Sequence, residues 1–246
     1  MAKDNFSERS DNYARYRPTY PQSMYDHLFS LVHNFDNAWD CGTGNGQVAV
    51  ELAGKFKKVY ASDISQSQLD NATKATNIIY SVQPAEETSY PAGLFDLVVV
   101  AQAVHWFNFE RFYNEVRRTA KDKAVLCLVG YGRVEIAGEI DRIVDDFYFN
   151  IIGKYWDEER HYIDEGYKTI PFPFEEINAP SLSTRHMWSL DHFLGYLNTW
   201  SAVKHFIKKN SFNPVKEIEP GLRKFWGVEE REVCFPLMLR IGRIKK

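Results

Sequence analysis

Residues 38–47 read AWDCGTGNGQ, and the fold turns on how this stretch is taken. An apolar run ends at Cys41, and Gly42, Gly44 and Gly46 follow at every second position behind Asp40. Helical spacing then begins, with Val48, Ala49, Leu52 and Ala53 on one face. The spacing therefore predicts a strand, a glycine turn and a helix. A strand that leaves a sheet through bare backbone into a helix is how parallel α/β sheets receive a ligand at their carboxyl edge.

Working outward, the same alternation continues. Pro21 opens a helix carrying Met24, Leu28, Leu31 and Val32 on one side, since proline suits a first helical turn. KVYASD reads as a second strand ending at Asp63, and Ser65 with Gln68 forms a capping-box pattern for the next helix. IIYSV, FDLVVVA and KAVLCLVG read as further strands, the last two as nearly continuous apolar runs covered on both faces. Residues 108–120 read as a helix with Phe109, Phe112, Tyr113 and Val116 inward. This order predicts an α/β, Rossmann-like, doubly wound and mostly parallel seven-stranded sheet.

After residue 133 the rhythm changes. EIAGEIDRIVDDFYFNIIGKYW has helical spacing, and DEERHYIDEGYKTIPFPF reads as a loop. LSTRHMWS reads as a strand, 190–209 as a helix and EREVCFPLMLRIGRI as the last strand. Residues 1–246 are taken as one domain, with 1–22 as an amino-terminal lid and 134–180 as an insertion over the site, too short for a good core of its own.

Composition bounds the function. The chain has 246 residues with 44% apolar and 26% charged, the balance of a globular protein. A net charge of −3 argues against non-specific nucleic-acid binding. Cys41, Cys127 and Cys234 are far apart, each in a strand-like run, so buried reduced thiols are expected and no metal site. The start lacks an apolar signal core and no segment is long enough to span a bilayer, so no membrane partner and a cytoplasmic location are expected. Oligomeric state is not legible.

Two ligand classes fit a glycine turn at a strand exit: dinucleotides, and cofactors carrying an amino-acid tail on a nucleoside. Asp63 lies 63 − 44 = 19 residues past Gly44, the place from which a carboxylate reaches a ribose diol in both. The spacing Gly42-x-Gly44-x-Gly46 departs from the dinucleotide G-x-G-x-x-G at its third glycine. A base methyltransferase of nucleic acid is disfavoured by AQAVHWF, residues 101–107, where that class carries an Asn/Asp-Pro-Pro-aromatic motif.

WDCGTGNGQ, ASDIS, QPAEETSYPAGLFDLVVVAQAVHWF and RYRPTYP together resemble a class I S-adenosylmethionine (SAM)-dependent methyltransferase, more narrowly the small-molecule branch with trans-aconitate methyltransferase-like enzymes. The resemblance covers residues 5–130. It implies SAM as cofactor and a small-molecule acceptor, with carboxyl methylation as the family-level expectation. It implies that Asp40, Gly42, Thr43, Gly44, Gly46 and Gln47 hold the methionine part, Asp40 by attracting its ammonium. Asp63 would take the ribose hydroxyls, Ile64 would pack on adenine, and Ala85 and Glu86 would border its edge. Ala101 and Gln102 would close the site beneath the sulfonium. Tyr13 and Arg17, in YxxxRPxYP, would belong to the lid.

Methyl transfer from a sulfonium needs the nucleophile held in line and water excluded, with no catalytic triad. His105 is the candidate base for a hydroxyl or amine acceptor, or a pocket wall. Trp106 and Trp200 are candidates for the substrate pocket, with core packing the competing reading for Trp200 on its helix. Arg133, Arg160, His161 and Arg185 are candidates to grip an anionic acceptor. A non-catalytic SAM-binding or regulatory protein, and an NAD-dependent oxidoreductase, are the alternatives.

Overall fold

The computed structural model describes residues 15–246; Tyr13 and most of the 1–22 segment lie outside them. Helix α1 (Gln22–Leu31) buries Met24, Tyr25 and Leu28, with Pro21 one position earlier than the first helical turn, at the cap. Then follow β1 (Asn37–Cys41), α2 (Gln47–Ala53), β2 (Lys58–Asp63), α3 (Gln66–Asp70), β3 (Ile78–Val82) and β4 (Phe95–Ala101). Helix α4 (Phe109–Thr119), started by the Asn108 side chain on the Arg111 amide, leads into β5 (Ala120–Tyr131).

The sheet runs in the order β3-β2-β1-β4-β5-β8-β6, where β6 is Glu175–Ile177 and β8 is Arg231–Arg243. Strands β1 to β5 pair in parallel; β8 is antiparallel to β5, to β6 and to β7 (Ser183–Trp188), which lies off the main path. Six of the seven expected strands lie on the main path, LSTRHMWS is β7 beside it, and β6 is an eighth strand that the sequence reading did not predict. Strand order reverses between β1 and β4, so the carboxyl ends of β1, β2 and β4 border the switch crevice.

Central strands form where the sequence is apolar without interruption: six of the seven residues of β4 are buried. Trp39 of β1 is fully buried, stacks on Phe95 with ring centroids 5.5 Å apart, and gives its indole N–H to Ser62 Oγ at 2.8 Å. A buried indole with its N–H satisfied secures β1 to β2 without a polar penalty. All three cysteines are free and buried.

A second core lies beside the sheet. It joins α5 (Gly138–Asp146), the π-helical turn Phe147–Ile151, α7 (Leu190–Asn198), α8 (Ser201–Asn210) and α9 (Val215–Trp226) around Phe147, Trp188, Phe193, Trp200 and Trp226. Strand β8 serves both cores, with Val233 and Phe235 in this one and Ile241 in the sheet core. The helical layer therefore draws on residues 188–226 as well as on the 134–180 segment.

The structure corrects two readings. The expected helix 190–209 is two helices, broken at Thr199 and Trp200, where Trp200 is extended (φ −67, ψ 136). The stretch read as a loop contains α6 (His161–Asp164), and β6 follows it directly. Helix α9 runs through Pro220. Pro220 and Lys216, whose carbonyl a proline at this position leaves without a helical partner, are both exposed residues. Among the described residues no helix is long and apolar enough to cross a membrane.

Candidate active site

The three glycines behind Asp40 do different work. Gly42 sits at φ +71, and a Cβ there would meet the Ala103 Cβ at 2.6 Å, so this glycine is required by the protein's own packing. Gly44, at φ +55, has nothing nearer than 3.9 Å to such an atom. It alone of the three combines a left-handed backbone with open space, and that space is a crevice of about 1150 Å³, open solvent included. Gly46 does not line the crevice; Tyr80 lies against it.

Asp63, at the end of β2, binds the turn through both oxygens: Oδ2 accepts the Gly44 N–H and Oδ1 the Ser65 N–H, each at 2.9 Å. A carboxylate oxygen accepts more than one hydrogen bond, so a carboxylate at this crevice edge suits a vicinal diol. Ser65 caps α3 by accepting the Gln68 N–H at 3.4 Å. Ile64, 39% exposed beside Asp63, gives the crevice an apolar ledge that suits the face of a flat base.

Asp40 is placed differently from the expectation of an open anionic contact. It is fully buried under the turn; Oδ2 accepts the Thr43 hydroxyl at 2.5 Å and Oδ1 has no hydrogen-bond partner. Burial raises its carboxyl to about 7, against the opposing bond from Thr43. A buried acceptor left unpaired costs about 1–3 kcal/mol, and a cation brought over the turn relieves it. Asp40 acts on such a group through its field and Thr43.

The remaining crevice walls come from three places. Ala85 and Glu86 lie in the loop after β3, where Glu86 Oε1 accepts the Asn108 N–H at 2.9 Å. The loop is pinned from behind by Glu115, which accepts both the N–H and the hydroxyl of Thr88, at 2.8 and 2.5 Å. Ala101 and Gln102 close the crevice at the end of β4, together with Gln47 of α2. Gln102 holds φ +54, a costly backbone for a residue with a side chain, fixed by its N–H to Val129 O at 2.9 Å and its amide to Tyr131 O at 3.2 Å. Arg17 crosses above, donating to Tyr131 Oη at 3.0 Å and to Thr199 O at 3.3 Å, and so ties the amino-terminal segment to β5 and to the helical layer.

Arg17, Gln102 and Trp106 also line a second, adjoining cavity of about 480 Å³, open solvent included. His105 and Trp200 line this one and not the main crevice. The His105 ring is buried, with Nδ1 3.2 Å from Tyr167 Oη, and burial, reinforced by the charge of Arg160, lowers its pKa to about 3. A neutral imidazole of such low basicity makes a wall and a poor base. Trp200 packs in the second core, stacked on Phe147, while still reaching the cavity.

Arg185 is a correction: it pairs with Glu232 across the exposed β7–β8 ribbon at 2.5 Å and lines neither cavity. Arg133 pairs with Asp145 and His161 caps its own turn. Of the four cationic candidates only Arg160 reaches a cavity. Sequence reading did not single out Trp156 and Asp157, which line the second cavity; they sit where the stretch read as helical gives way to the one read as a loop.

Comparison with known proteins agrees with this geometry. A family model described as a methyltransferase domain matches residues 39–128, from β1 into β5. A Dictyostelium discoideum protein named as a methyltransferase is 37% identical across 98% of this chain and 95% of its own length. A solved structure from Anaeromyxobacter dehalogenans, described as a type II methyltransferase, is 39% identical with a TM-score of 0.86, covering 93% of this chain and 98% of that one. A Saccharomyces cerevisiae protein named as an S-adenosylmethionine-dependent methyltransferase is 22% identical across 94% of this chain and 89% of its own.

Proposed function

The chain belongs to the class I SAM-dependent methyltransferases, and on that premise we propose that it methylates a small organic acceptor at a carboxylate. SAM is the cofactor. The residues fit it: the Asp40 carboxyl and Thr43 beneath the turn suit an ammonium, the open face of Gly44 admits the amino-acid tail, Asp63 suits the ribose diol and Ile64 the adenine. When bound, SAM supplies a methyl carbon activated by its sulfonium.

The observation that carries the acceptor reading is the second cavity, joined to the crevice at Arg17, Gln102 and Trp106. Arg17 at this junction supplies a positive field for an anionic nucleophile, and Gln102 closes the floor. A carboxylate needs no base, which accords with a His105 held neutral. Trp106 and Phe107 exclude water from the junction by their bulk. The chain is taken to work in the cytoplasm on a diffusible substrate, without nucleic-acid or membrane partners.

Calorimetric titration with SAM and with NAD, followed by label transfer from SAM to a panel of small acids, phenols and amines, tests this. Binding of SAM at micromolar strength and label in a base-labile ester are expected. SAM binding without turnover on any acceptor would instead favour a non-catalytic SAM-binding protein.

A further inference from the structure

The second cavity holds a carboxylate whose Oδ2 has no hydrogen-bond partner among the described residues. Asp157 lines it, its side chain retains 12% of its surface, and Oδ2 is buried without a hydrogen-bond partner. The His205 ring has Nδ1 3.9 Å from this oxygen, beyond hydrogen-bond reach, and 3.0 Å from Tyr155 O. An unpaired acceptor at a cavity wall is stabilised when an O–H or N–H enters the cavity.

Three residues on, Arg160 faces the same cavity. Its guanidinium lies over the Trp156 ring at 4.5 Å, and Nε donates to Tyr148 Oη at 2.7 Å. Among the described residues that is the only hydrogen bond its side chain donates, which leaves the other four N–H groups to an incoming acceptor. A donor-seeking carboxylate and a guanidinium with N–H groups to give thus line the cavity away from the residues it shares with the crevice. A hydroxyl suits both, as donor to Asp157 and acceptor from Arg160. The cavity walls also include the indoles of Trp106, Trp156 and Trp200, which favour a flat conjugated body.

We infer that the acceptor is a hydroxyl-bearing aromatic carboxylic acid, its carboxylate at the Arg17–Gln102 junction and its hydroxyl between Asp157 and Arg160. The inference rests on the carboxyl-methylation reading and deepens it by naming the distal group. Asp157 then determines specificity and takes no part in the chemistry.

The test compares 4-hydroxycinnamate with cinnamate, which share ring and acid and differ by the hydroxyl, using labelled SAM and the whole chain. The hydroxylated acid is expected to show at least about a tenfold higher kcat/KM, with the label in a base-labile ester. Asp157→Asn and Asp157→Ala are each expected to shrink that ratio to within about threefold. Equal use of the two acids, a preference for cinnamate, label in an ether, or a ratio that survives both substitutions would overturn the inference. If neither acid is methylated, titration into the protein loaded with S-adenosylhomocysteine decides: tighter binding of the hydroxylated acid supports the inference, and its failure to bind overturns it. SAM binding measured beforehand, without acceptor, separates these outcomes from failure of the cofactor reading itself.

Discussion

The carboxylate of Asp63 and the backbone N–H of Gly44 lie 2.9 Å apart, so the end of β2 holds in place the turn that follows β1. The residue suited to grip a ribose also shapes the backbone beside which the rest of the cofactor lies. Asp63→Ala should therefore weaken SAM at least tenfold, about 1.4 kcal/mol or more. Loss of two charge-assisted bonds should also lower apo stability by about 1–3 kcal/mol. Calorimetry with SAM and denaturant unfolding measure the two effects separately.

Gly42 and Gly44 should respond differently to alanine. Gly42→Ala drives a Cβ into Ala103 at 2.6 Å, so the melting temperature should fall markedly, and Ala103→Gly in the same chain should recover part of the loss. Gly44→Ala meets no such contact and bears only the left-handed backbone cost, about 1–2 kcal/mol. Its added methyl narrows the crevice, so SAM affinity should drop more than stability does. Thermal melts with and without SAM distinguish the two patterns.

Asp40 sets a pH dependence. Burial holds its folded carboxyl at about 7, above the ordinary 3.8. Its contribution to apo stability is thus greatest below pH 4 and is lost as pH rises through 7. Binding of a cofactor ammonium favours the ionised form, so SAM affinity should rise between pH 6 and 7. Asp40→Asn should flatten that rise. Titrations in buffers of different ionisation heat should detect proton release for the native chain and none for the variant.

His105 makes the opposite statement. Buried and held to about 3 against an ordinary 6.5, it is neutral throughout the working range. Its contribution to stability is present above pH 6.5 and is lost as pH falls toward 3. The kcat profile at saturating SAM should accordingly show no histidine ionisation between pH 5 and 7. An inflection near 6.5 that disappears in His105→Gln would restore the base reading.

The half of the protein that the sequence makes plain is the half built by local repetition. Strand, turn and helix alternate from Asn37 onward, and apolar runs such as FDLVVVA have few other structures open to them. The helical layer is harder because its parts are defined by one another. The break at Thr199 carries neither glycine nor proline; it is held by Thr199 Oγ1 on Tyr196 O at 2.6 Å and by Arg17 from far along the chain. Helix α9 continues through Pro220 to Trp226, and Gly221 lies where Ile143 of α5 packs, its Cδ1 3.2 Å from where a Cβ would stand. The same holds for the second cavity. Trp156, Asp157 and Arg160 meet Trp106 and Trp200 only through tertiary packing, and no spacing in the sequence announces it.

The most direct measurement is a crystal structure of the chain with S-adenosylhomocysteine. Both ribose hydroxyls should lie about 3 Å from the Asp63 carboxylate, with the amino-acid tail over Gly44 and the sulfur facing the junction with the second cavity. An empty crevice, or a nucleoside bound with its sugar away from Asp63, would contradict the assignment.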